Sequence, residues 1–468
     1  MKTRALILCG TLALAAAACD SDDMDAPPDA GPPASPDAAP QTTPTAFTVR
    51  VENVAPWTVL QSGTQTIKVG GSAAGPIGPG EAFEVAFTAG KGQHLSFAAM
   101  FGESNDWFFG PGPDGITLYG ADGTPASGDV TAQVSLWNAG TEIDQEPAVG
   151  DATGPKQSAP DFGAPDPVPG VRELGSVATL SDGSSFPLPA VASMIHVTLT
   201  PGADRHFTLR VENVSTPATL HTSVGDKPIH VSPLVWAVHL APAPFFTTGA
   251  ADRGQGLELI AESGRVAMLG DATATLTGAA TPLSPGVYAV HHGAEPLFSL
   301  DAPDRGMGLE RIAESGNPVP MATAFSTTPP AGVVDTGVFN LPEGASAAGP
   351  ATPGHAYEIH VTAVPGDRLS LVTMFGMSDD WFFGTAPGGL ALFDAQGAPV
   401  RGDQTAGFAL YDAGTEVDEE LAIGPDTGPQ QAAPDQGAAD PTNLVRLVPA
   451  STYAAPVSAH IKVTVTPE

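Results

Sequence analysis

The sequence predicts an all-β protein that contains two antiparallel β-sandwich domains in tandem. Short runs of alternating apolar and polar residues, such as FTVRVENV and HVTLT, are separated by turn residues. The 468 residues include 54 glycines and 48 prolines, yet 42% are hydrophobic, so many turns are compatible with a sizeable core. Long stretches of the chain also occur twice, which indicates a duplicated domain.

The clearest repeat is FGESNDWFFG at 101–110, which returns as FGMSDDWFFG at 375–384. WNAGTEID at 137–144 returns with the same spacing as YDAGTEVD at 411–418. Each copy closes on a β-like run, IHVTLTPG in the first and IKVTVTPE in the second. The repeats therefore share one arrangement of strands and turns.

The beginnings of the copies fix the predicted boundaries. FTVRVENV at 47–54 matches FTLRVENV at 207–214, a shorter spacing than that of the other repeats. We therefore predict a first domain over 46–203 and a second domain over 204–468, the second enlarged by an insertion.

The insertion is itself a doublet, 232–264 and 284–316. Each unit predicts a strand (VWAVH or VYAVH), a loop and a short helix. The helices are expected to begin near Asp252 or Asp304 and to end at Gly264 or Gly316; these four residues mark the expected helix ends. The first domain lacks such a unit before residue 204, so we expect it to be a truncated copy.

The first residues, MKTRALILCGTLALAAAAC, have two basic residues, an apolar run and small residues, as export signals do. This pattern predicts a lipoprotein signal peptide over 1–19 with Cys19 as the lipidated residue. An ordinary small-residue cleavage site is the alternative. Residues 20–45 are rich in Asp, Pro and Ala, which predicts a disordered tether between the anchor and the folded part.

The net charge of −33 narrows the possible partners. It argues against nucleic acid, because no basic stripe is present to neutralise phosphates. It favours an exported, well-solvated protein with divalent cations as counterions. We find no sequence motif of a Ser hydrolase, a zinc protease, a dinucleotide-binding domain or a P-loop enzyme.

The paired motifs resemble the spondin-type domain, which is the N-terminal domain of F-spondin and mindin. The resemblance rests on MFGxSxDWFFG followed by YDAGTEVD, together with SPGVYAVH and GLERIAESG, and it is closest to bacterial spondin-domain proteins. It extends over most of 46–468. It implies a β-sandwich with one calcium ion at its end, bound by the Asp of the DW motif and by the first and last residues of the DAGTD motif.

Transferred to this chain, the resemblance implies one calcium site in each domain. The ligands would be Asp106, Asn138 and Glu142 in the first domain, and Asp380, Asp412 and Glu416 in the second. These side chains offer the hard oxygen ligands that calcium prefers. Because Asn138 replaces an acid, the first site is expected to bind calcium more weakly than the second.

Two alternatives remain for these acids. They could cap turns through Asx hydrogen bonds without any metal. Asp144 and Asp418 are weaker candidates, which would join the sites through water or else lie in solvated loops.

Three functions are compatible with these features. The first is a non-enzymatic, calcium-binding envelope protein, at the outer membrane or cell surface, for adhesion or for binding matrix protein or polysaccharide. The second is an envelope hydrolase that uses paired carboxylates. The third is a purely structural surface lipoprotein. We expect no nucleic-acid partner, and contact with the membrane only through the lipid anchor.

Overall fold

The computed structural model describes residues 43–468 with the exception of residues 155 and 241. The predicted signal peptide, Cys19 and almost all of the predicted tether lie outside the described residues. Among the helices of the described residues, none has both the length and the apolar character of a transmembrane span.

The strands before residue 202 are β1 (Thr45–Asn53), β2 (Val59–Gln65), β3 (Ala82–Thr88), β4 (His94–Phe101), β5 (Trp107–Pro111), β6 (Ile116–Thr117), β7 (Gly128–Asp129), β8 (Val134–Asn138), β9 (Arg172–Glu173), β10 (Val177–Thr179), β11 (Ser185–Pro187) and β12 (Ile195–Pro201). The later strands are β13 (His206–Asn213), β14 (Leu220–Thr222), β15 (Gly225–Lys227), β16 (Val231–His239), β17 (Leu283–His291), β18 (Val333–Phe339), β19 (Ala356–Ala363), β20 (Arg368–Phe375), β21 (Trp381–Thr385), β22 (Leu390–Ala391), β23 (Gly402–Asp403), β24 (Phe408–Asp412), β25 (Arg446–Leu447) and β26 (Ile461–Pro467).

The α-helices are α1 (Val191–Met194), α2 (Leu257–Ser263), α3 (Ala267–Thr275), α4 (Leu309–Ser315) and α5 (Val319–Thr327). Short 3₁₀ turns lie at Thr131–Gln133, Thr405–Gly407 and Val457–Ala459.

The strands form two sandwiches, which confirms the predicted fold class. In sandwich A, a four-stranded sheet of order β3-β13-β12-β7 packs on a seven-stranded sheet of order β2-β16-β4-β5-β8-β9, in which β6 also pairs with β4. In sandwich B, the four-stranded sheet is β19-β1-β26-β23 and the seven-stranded sheet is β18-β17-β20-β21-β24-β25, with β22 beside β20. All of these strand pairs are antiparallel.

The two sandwiches are interleaved along the chain. Strand β1 belongs to sandwich B, where it lies between β19 and β26. All strands of sandwich A follow it, from β2 to β16, and the remaining strands of sandwich B begin only at β17. Sandwich A is therefore inserted into sandwich B after the first strand of B.

Sandwich A is a circular permutation of sandwich B. In A, β12 continues into β13 through a tight hairpin in which Thr198 pairs with Arg210. In B, the equivalent strands are β26 and β1, at opposite ends of the described chain, and Thr464 pairs with Arg50 in the same register. The strand equivalent to β1 therefore comes late in sandwich A and first in sandwich B.

The prediction that both units of the doublet belong to the second domain is wrong. Strand β16 with α2 and α3 packs on sandwich A, and β17 with α4 and α5 packs on sandwich B. Sandwich A is therefore complete rather than truncated, because its unit lies C-terminal to the strands that it covers. Both sheets of A also contain strands from each side of the boundary that we predicted between residues 203 and 204.

The aromatic triplets are buried on both faces of the large sheets. Trp107 and Phe109 point into the core between the sheets of A, whereas Phe108 packs under α2 and α3. Side chains alternate across a strand, so a sheet covered on both faces requires apolar residues at consecutive positions. This is why WFFG interrupts the alternating pattern seen elsewhere.

Each helix of the doublet ends as predicted and begins later than predicted. Gly264 and Gly316 close α2 and α4 in the left-handed conformation, with φ of 66° and 63°. The helices start after Gly256 and Gly308, which are also left-handed, instead of near Asp252 and Asp304. Helices α3 and α5 were not predicted.

One buried histidine distinguishes the core of sandwich B from that of A. His460 is fully buried among aromatic rings, including Phe375 and Phe383, and its Nε2 lies 2.8 Å from the hydroxyl of Tyr453. Burial lowers the pKa of His460 from 6.5 to about 4. Met194 precedes the equivalent strand of sandwich A and is also fully buried.

We expect His460→Met to remove part of the acid sensitivity of the protein. The unfolded chain binds this proton more tightly than the folded chain, so the stability that His460 contributes is complete above about pH 6.5 and is lost as the pH falls toward 4. Between about pH 7.5 and 4.5, the wild-type free energy of unfolding should fall by roughly 2.5 kcal/mol more than that of the variant. Denaturant titrations at the two pH values measure this difference, and parallel losses in both proteins would refute it.

Candidate metal centre

The repeated acids lie where β5 and β8, or β21 and β24, pair at one end of the large sheets. Trp107 pairs with Asn138, and Trp381 pairs with Asp412. The DW motif and the AGTE turn are therefore brought together, as the resemblance implies. Gly140 and Gly414 turn the chain with φ of 73° and 71°. A side chain on Gly414 would clash with the backbone of residue 444, so the turn requires glycine.

Asp106 and Asp380 occupy equivalent, fully buried positions. Oδ2 of Asp380 accepts hydrogen bonds from the amides of Thr415 (2.7 Å) and Glu416 (3.1 Å) and from the Thr415 hydroxyl (3.0 Å). Oδ2 of Asp106 accepts the same three bonds from the turn of sandwich A. Oδ1 of each acid is buried without a hydrogen-bond partner.

The residues at the end of β8 and β24 hold the turn. Oδ1 of both Asn138 and Asp412 accepts the amide of the glycine two residues later, at 2.6 Å. This is the Asx hydrogen bond of the turn-cap alternative. The other atoms differ: Nδ2 of Asn138 donates to Asp144 (2.8 Å), whereas Asp412 forms a salt bridge with Arg446.

Glu142 and Glu416 are buried at the far side of the same turn. Each accepts a backbone amide through Oε1, at 2.5 Å from Gly163 and 2.7 Å from Gly437. Oε2 of Glu142 also accepts a hydrogen bond from Asn105, at 3.3 Å. Oε2 of Glu416 is buried and unpartnered, because the residue equivalent to Asn105 is an acid.

That acid is Asp379, which the sequence interpretation missed. Carboxylate oxygens of Asp379, Asp380 and Asp418 lie within 4.8 Å of one another. Of the three ligands predicted in sandwich B, Asp380 belongs to this group, while Asp412 and Glu416 adjoin it. Asp379 could have been found, because the second motif reads SDDW where the first reads SNDW.

The tryptophan of each motif anchors an acid as well as filling the core. The indole Nε1 of Trp107 donates to Asp144 at 2.5 Å, and that of Trp381 donates to Asp418 at 2.6 Å. An indole N–H donor thus holds an acid beside each predicted ligand set; Asp144 is buried there, whereas Asp418 is exposed to solvent.

Burial makes four acids of sandwich B difficult to ionise together: Asp379, Asp380, Asp412 and Glu416. It raises the pKa of Asp379 to about 8, and the charges of Asp380 and Asp418 add to the effect. Burial, followed by the same two charges, raises the pKa of Asp412 to about 7, although Arg446 opposes the shift. The pKa values of Asp380 and Glu416 are also raised, chiefly by burial. A divalent cation would reverse these shifts, because it stabilises the ionised carboxylates.

Comparison with known proteins returns no matching family model and no matching curated protein.

One glutamate from each unit of the doublet lies beside the candidate metal ligands of its sandwich. Glu262 of α2 accepts hydrogen bonds from the Thr141 hydroxyl and from the Asp161 amide, both at 2.8 Å. Glu314 of α4 makes equivalent bonds with Thr415 and Asp435 in sandwich B. These glutamates belong to the repeated AESG sequence, which we interpreted only as the end of a helix. The doublet unit therefore completes the end of each sandwich.

Proposed function

We propose that this chain is a non-enzymatic, calcium-binding protein of the bacterial cell envelope. In this proposal it has two spondin-type sandwiches that act in adhesion or in binding extracellular matrix or polysaccharide. Asp380, Asp412 and Glu416 hold calcium in sandwich B together with Asp379 and Asp418, and Asp106, Asn138, Glu142 and Asp144 do so in sandwich A. Lipidation at Cys19 would place the protein at the outer membrane or cell surface.

The observation that carries the proposal is the pair of equivalent carboxylate oxygens without partners. A buried charged oxygen without a hydrogen bond is costly, and nearly all buried polar atoms in proteins are paired. Oδ1 of Asp106 and Oδ1 of Asp380 are both unpaired. Turn capping accounts for their Oδ2 atoms and for Oδ1 of Asn138 and Asp412, but leaves these two oxygens unexplained. A calcium ion, which takes six to eight oxygen ligands, fits both positions.

The burial of these acids favours binding over hydrolysis. A glycosidase needs two carboxyl groups that flank a bound sugar, one as the acid and the other as the base or nucleophile. Asp106 and Asp380 are fully buried, and their Oδ2 atoms are already engaged by three donors each. Such groups suit a structural cation better than a polymer substrate.

We expect the full chain to bind two calcium ions. Asp106→Ala and Asp380→Ala should each remove one, because no neighbouring side chain replaces the oxygen that is lost. Isothermal titration of chelator-treated protein measures the stoichiometry. Asp122→Ala, at an exposed turn of sandwich A, is the matched control and should leave it at two. A wild-type chain that binds no calcium would leave these acids as turn caps and refute the proposal.

A further inference from the structure

Sandwich A contains a cavity lined by charged residues, most of which sandwich B replaces with uncharged ones. Its volume is about 820 Å³, within the range of pockets that take small organic ligands. Part of the wall is apolar, with Met100 and several prolines, and the charged lining residues are Glu103, Lys156, Lys227, His230, Glu262 and Arg265. Three basic side chains at one cavity are notable in a chain with 18 Lys and Arg against 51 Asp and Glu.

The cavity acids are engaged, whereas the basic groups have donors to spare. Glu103 accepts hydrogen bonds from the amide of His230 and from its ring Nδ1, at 2.7 Å. The bonds of Glu262 to Thr141 and Asp161 use both of its oxygens. Within the described part of the chain, Lys227 and Arg265 have no salt bridge, and the ammonium of Lys156 donates only to a backbone carbonyl.

The duplicated sandwich serves as an internal control. The residues of sandwich B equivalent to Lys156, Lys227 and Arg265 are Gln430, Ala279 and Asn317. Glu103 and His230 are likewise replaced by uncharged residues, Met377 and Pro282. The fold therefore does not require these charges, since the same framework forms without them.

In sandwich B, the surface around Gln430 contacts sandwich A. The Gln430 side chain accepts hydrogen bonds from the amide of Lys91 and from the guanidinium of Arg205, both at 2.7 Å. These groups lie on loops of sandwich A, so part of the surface equivalent to the cavity is an internal contact in B. In sandwich A, Lys156 stands at this position and is exposed.

We propose that this cavity binds a small organic anion, about the size of one or two sugar rings, that carries a carboxylate, phosphate or sulfate group. Lys156, Lys227 and Arg265 would contact the anionic group, and the proline and methionine surfaces would contact its carbon framework. Charge-assisted hydrogen bonds from such groups are stronger than neutral ones. The site does not depend on the calcium proposal, because its positive charge comes from the chain itself.

The test is isothermal titration of the full chain with digalacturonate, glucose 6-phosphate and glucose 6-sulfate, with neutral maltose as the reference. Performing it in chelator separates this site from any bound calcium. At least one acidic sugar should bind about tenfold or more tightly than maltose, and the best one identifies the anionic group. K156Q/K227A/R265N, which introduces the residues of sandwich B, should weaken that binding by about tenfold or more.

The control variant R253A/R401A/K462A removes the same charge from exposed positions elsewhere and should bind as the wild type does. If both variants bound the acidic sugar equally weakly, the loss would reflect the overall charge of the protein and not the cavity, and the proposal would be overturned. So would a wild-type chain that binds no acidic sugar more tightly than maltose. Unchanged thermal melting of K156Q/K227A/R265N would show that any loss of binding is not a loss of fold.

Discussion

A fragment spanning residues 56–278 is expected to fold on its own, whereas a fragment spanning 46–203 is expected to remain unfolded. The second corresponds to the first repeat as the sequence presents it, but it lacks β13 and β16. Strand β13 pairs with both β3 and β12, and β16 pairs with both β2 and β4. Each of the two sheets would thus lose an interior strand and its hydrogen bonds.

The same fragment would also lose a large part of its core. Phe207, Leu209, Leu234 and Val238 are fully or almost fully buried between the sheets of A and belong to the missing strands. At about 1.5–3 kcal/mol each, these four side chains together contribute about 6–12 kcal/mol, which is comparable with the 5–15 kcal/mol that separates a typical folded domain from its unfolded state. The longer fragment retains all of these residues and the covering helices α2 and α3.

Circular dichroism and thermal melting of the two fragments measure the difference. A matched test of sandwich B deletes residues 56–278 and joins the ends by a short glycine linker. The junction is short in space, because the Asn53 side chain donates to the carbonyl of Thr281 at 2.8 Å. A cooperative melt of the 46–203 fragment would contradict the interleaved arrangement, as would a failure of 56–278 to fold.

The repeats and the alternating strands were sufficient to predict the fold class, whereas the candidate ligands at the ends of the sheets came from the family resemblance. The order of strands in space was not accessible in the same way. FTVRVENV, in β1, and FTLRVENV, in β13, are nearly identical. Either sequence could therefore form the strand between β3 and β12, because both have the same pattern of inward-facing apolar and outward-facing polar residues. Connectivity favours β13, because it follows β12 through a connection of only four residues, and a short loop costs little entropy to close.

The candidate site was only partly predictable for a different reason. Asp380, Asp412 and Glu416 follow from motifs that can be read along the chain, but Asp379 and Glu314 gain their significance from tertiary burial. A surface Asp next to another Asp is ordinary, and a glutamate in a helix is ordinary too. Only the packing of α4 against the turn places Glu314 beside Thr415, and that contact spans about a hundred residues of sequence.

The two proposed calcium sites are expected to differ strongly in affinity, and two substitutions in either sandwich should reduce the difference. The candidate metal centre of sandwich B contains five acids: Asp379, Asp380, Asp412, Glu416 and Asp418. In sandwich A the same positions hold Asn105, Asp106, Asn138, Glu142 and Asp144. Sandwich B therefore has two more carboxylates, with one arginine, Arg446 or Arg172, beside each set. Ligand charge is a main determinant of calcium affinity, so we expect site B to bind at least about tenfold more tightly.

The double variant D379N/D412N should stabilise the metal-free protein and weaken its response to calcium. In sandwich A, Asn105 donates to Glu142 and Asn138 donates to Asp144, so each amide satisfies an acid. Asparagines at 379 and 412 would do the same for Glu416, whose Oε2 is unpartnered, and for Asp418. They would also remove two of the charges that repel one another when the cation is absent.

Thermal melting of the full chain with chelator and with calcium measures both effects. For the wild type, calcium at a hundredfold excess over Kd adds about 2.7 kcal/mol, which corresponds to a rise of about 5–10 °C for the transition of a sandwich of this size. D379N/D412N should melt higher than the wild type in chelator and gain less than half of that rise with calcium. The reciprocal variant N105D/N138D should melt lower in chelator and gain more from calcium than the wild type does. A change of the calcium response in the same direction for both double variants would contradict this prediction. It would show that the number of carboxylates does not determine the difference in calcium affinity between sandwiches A and B.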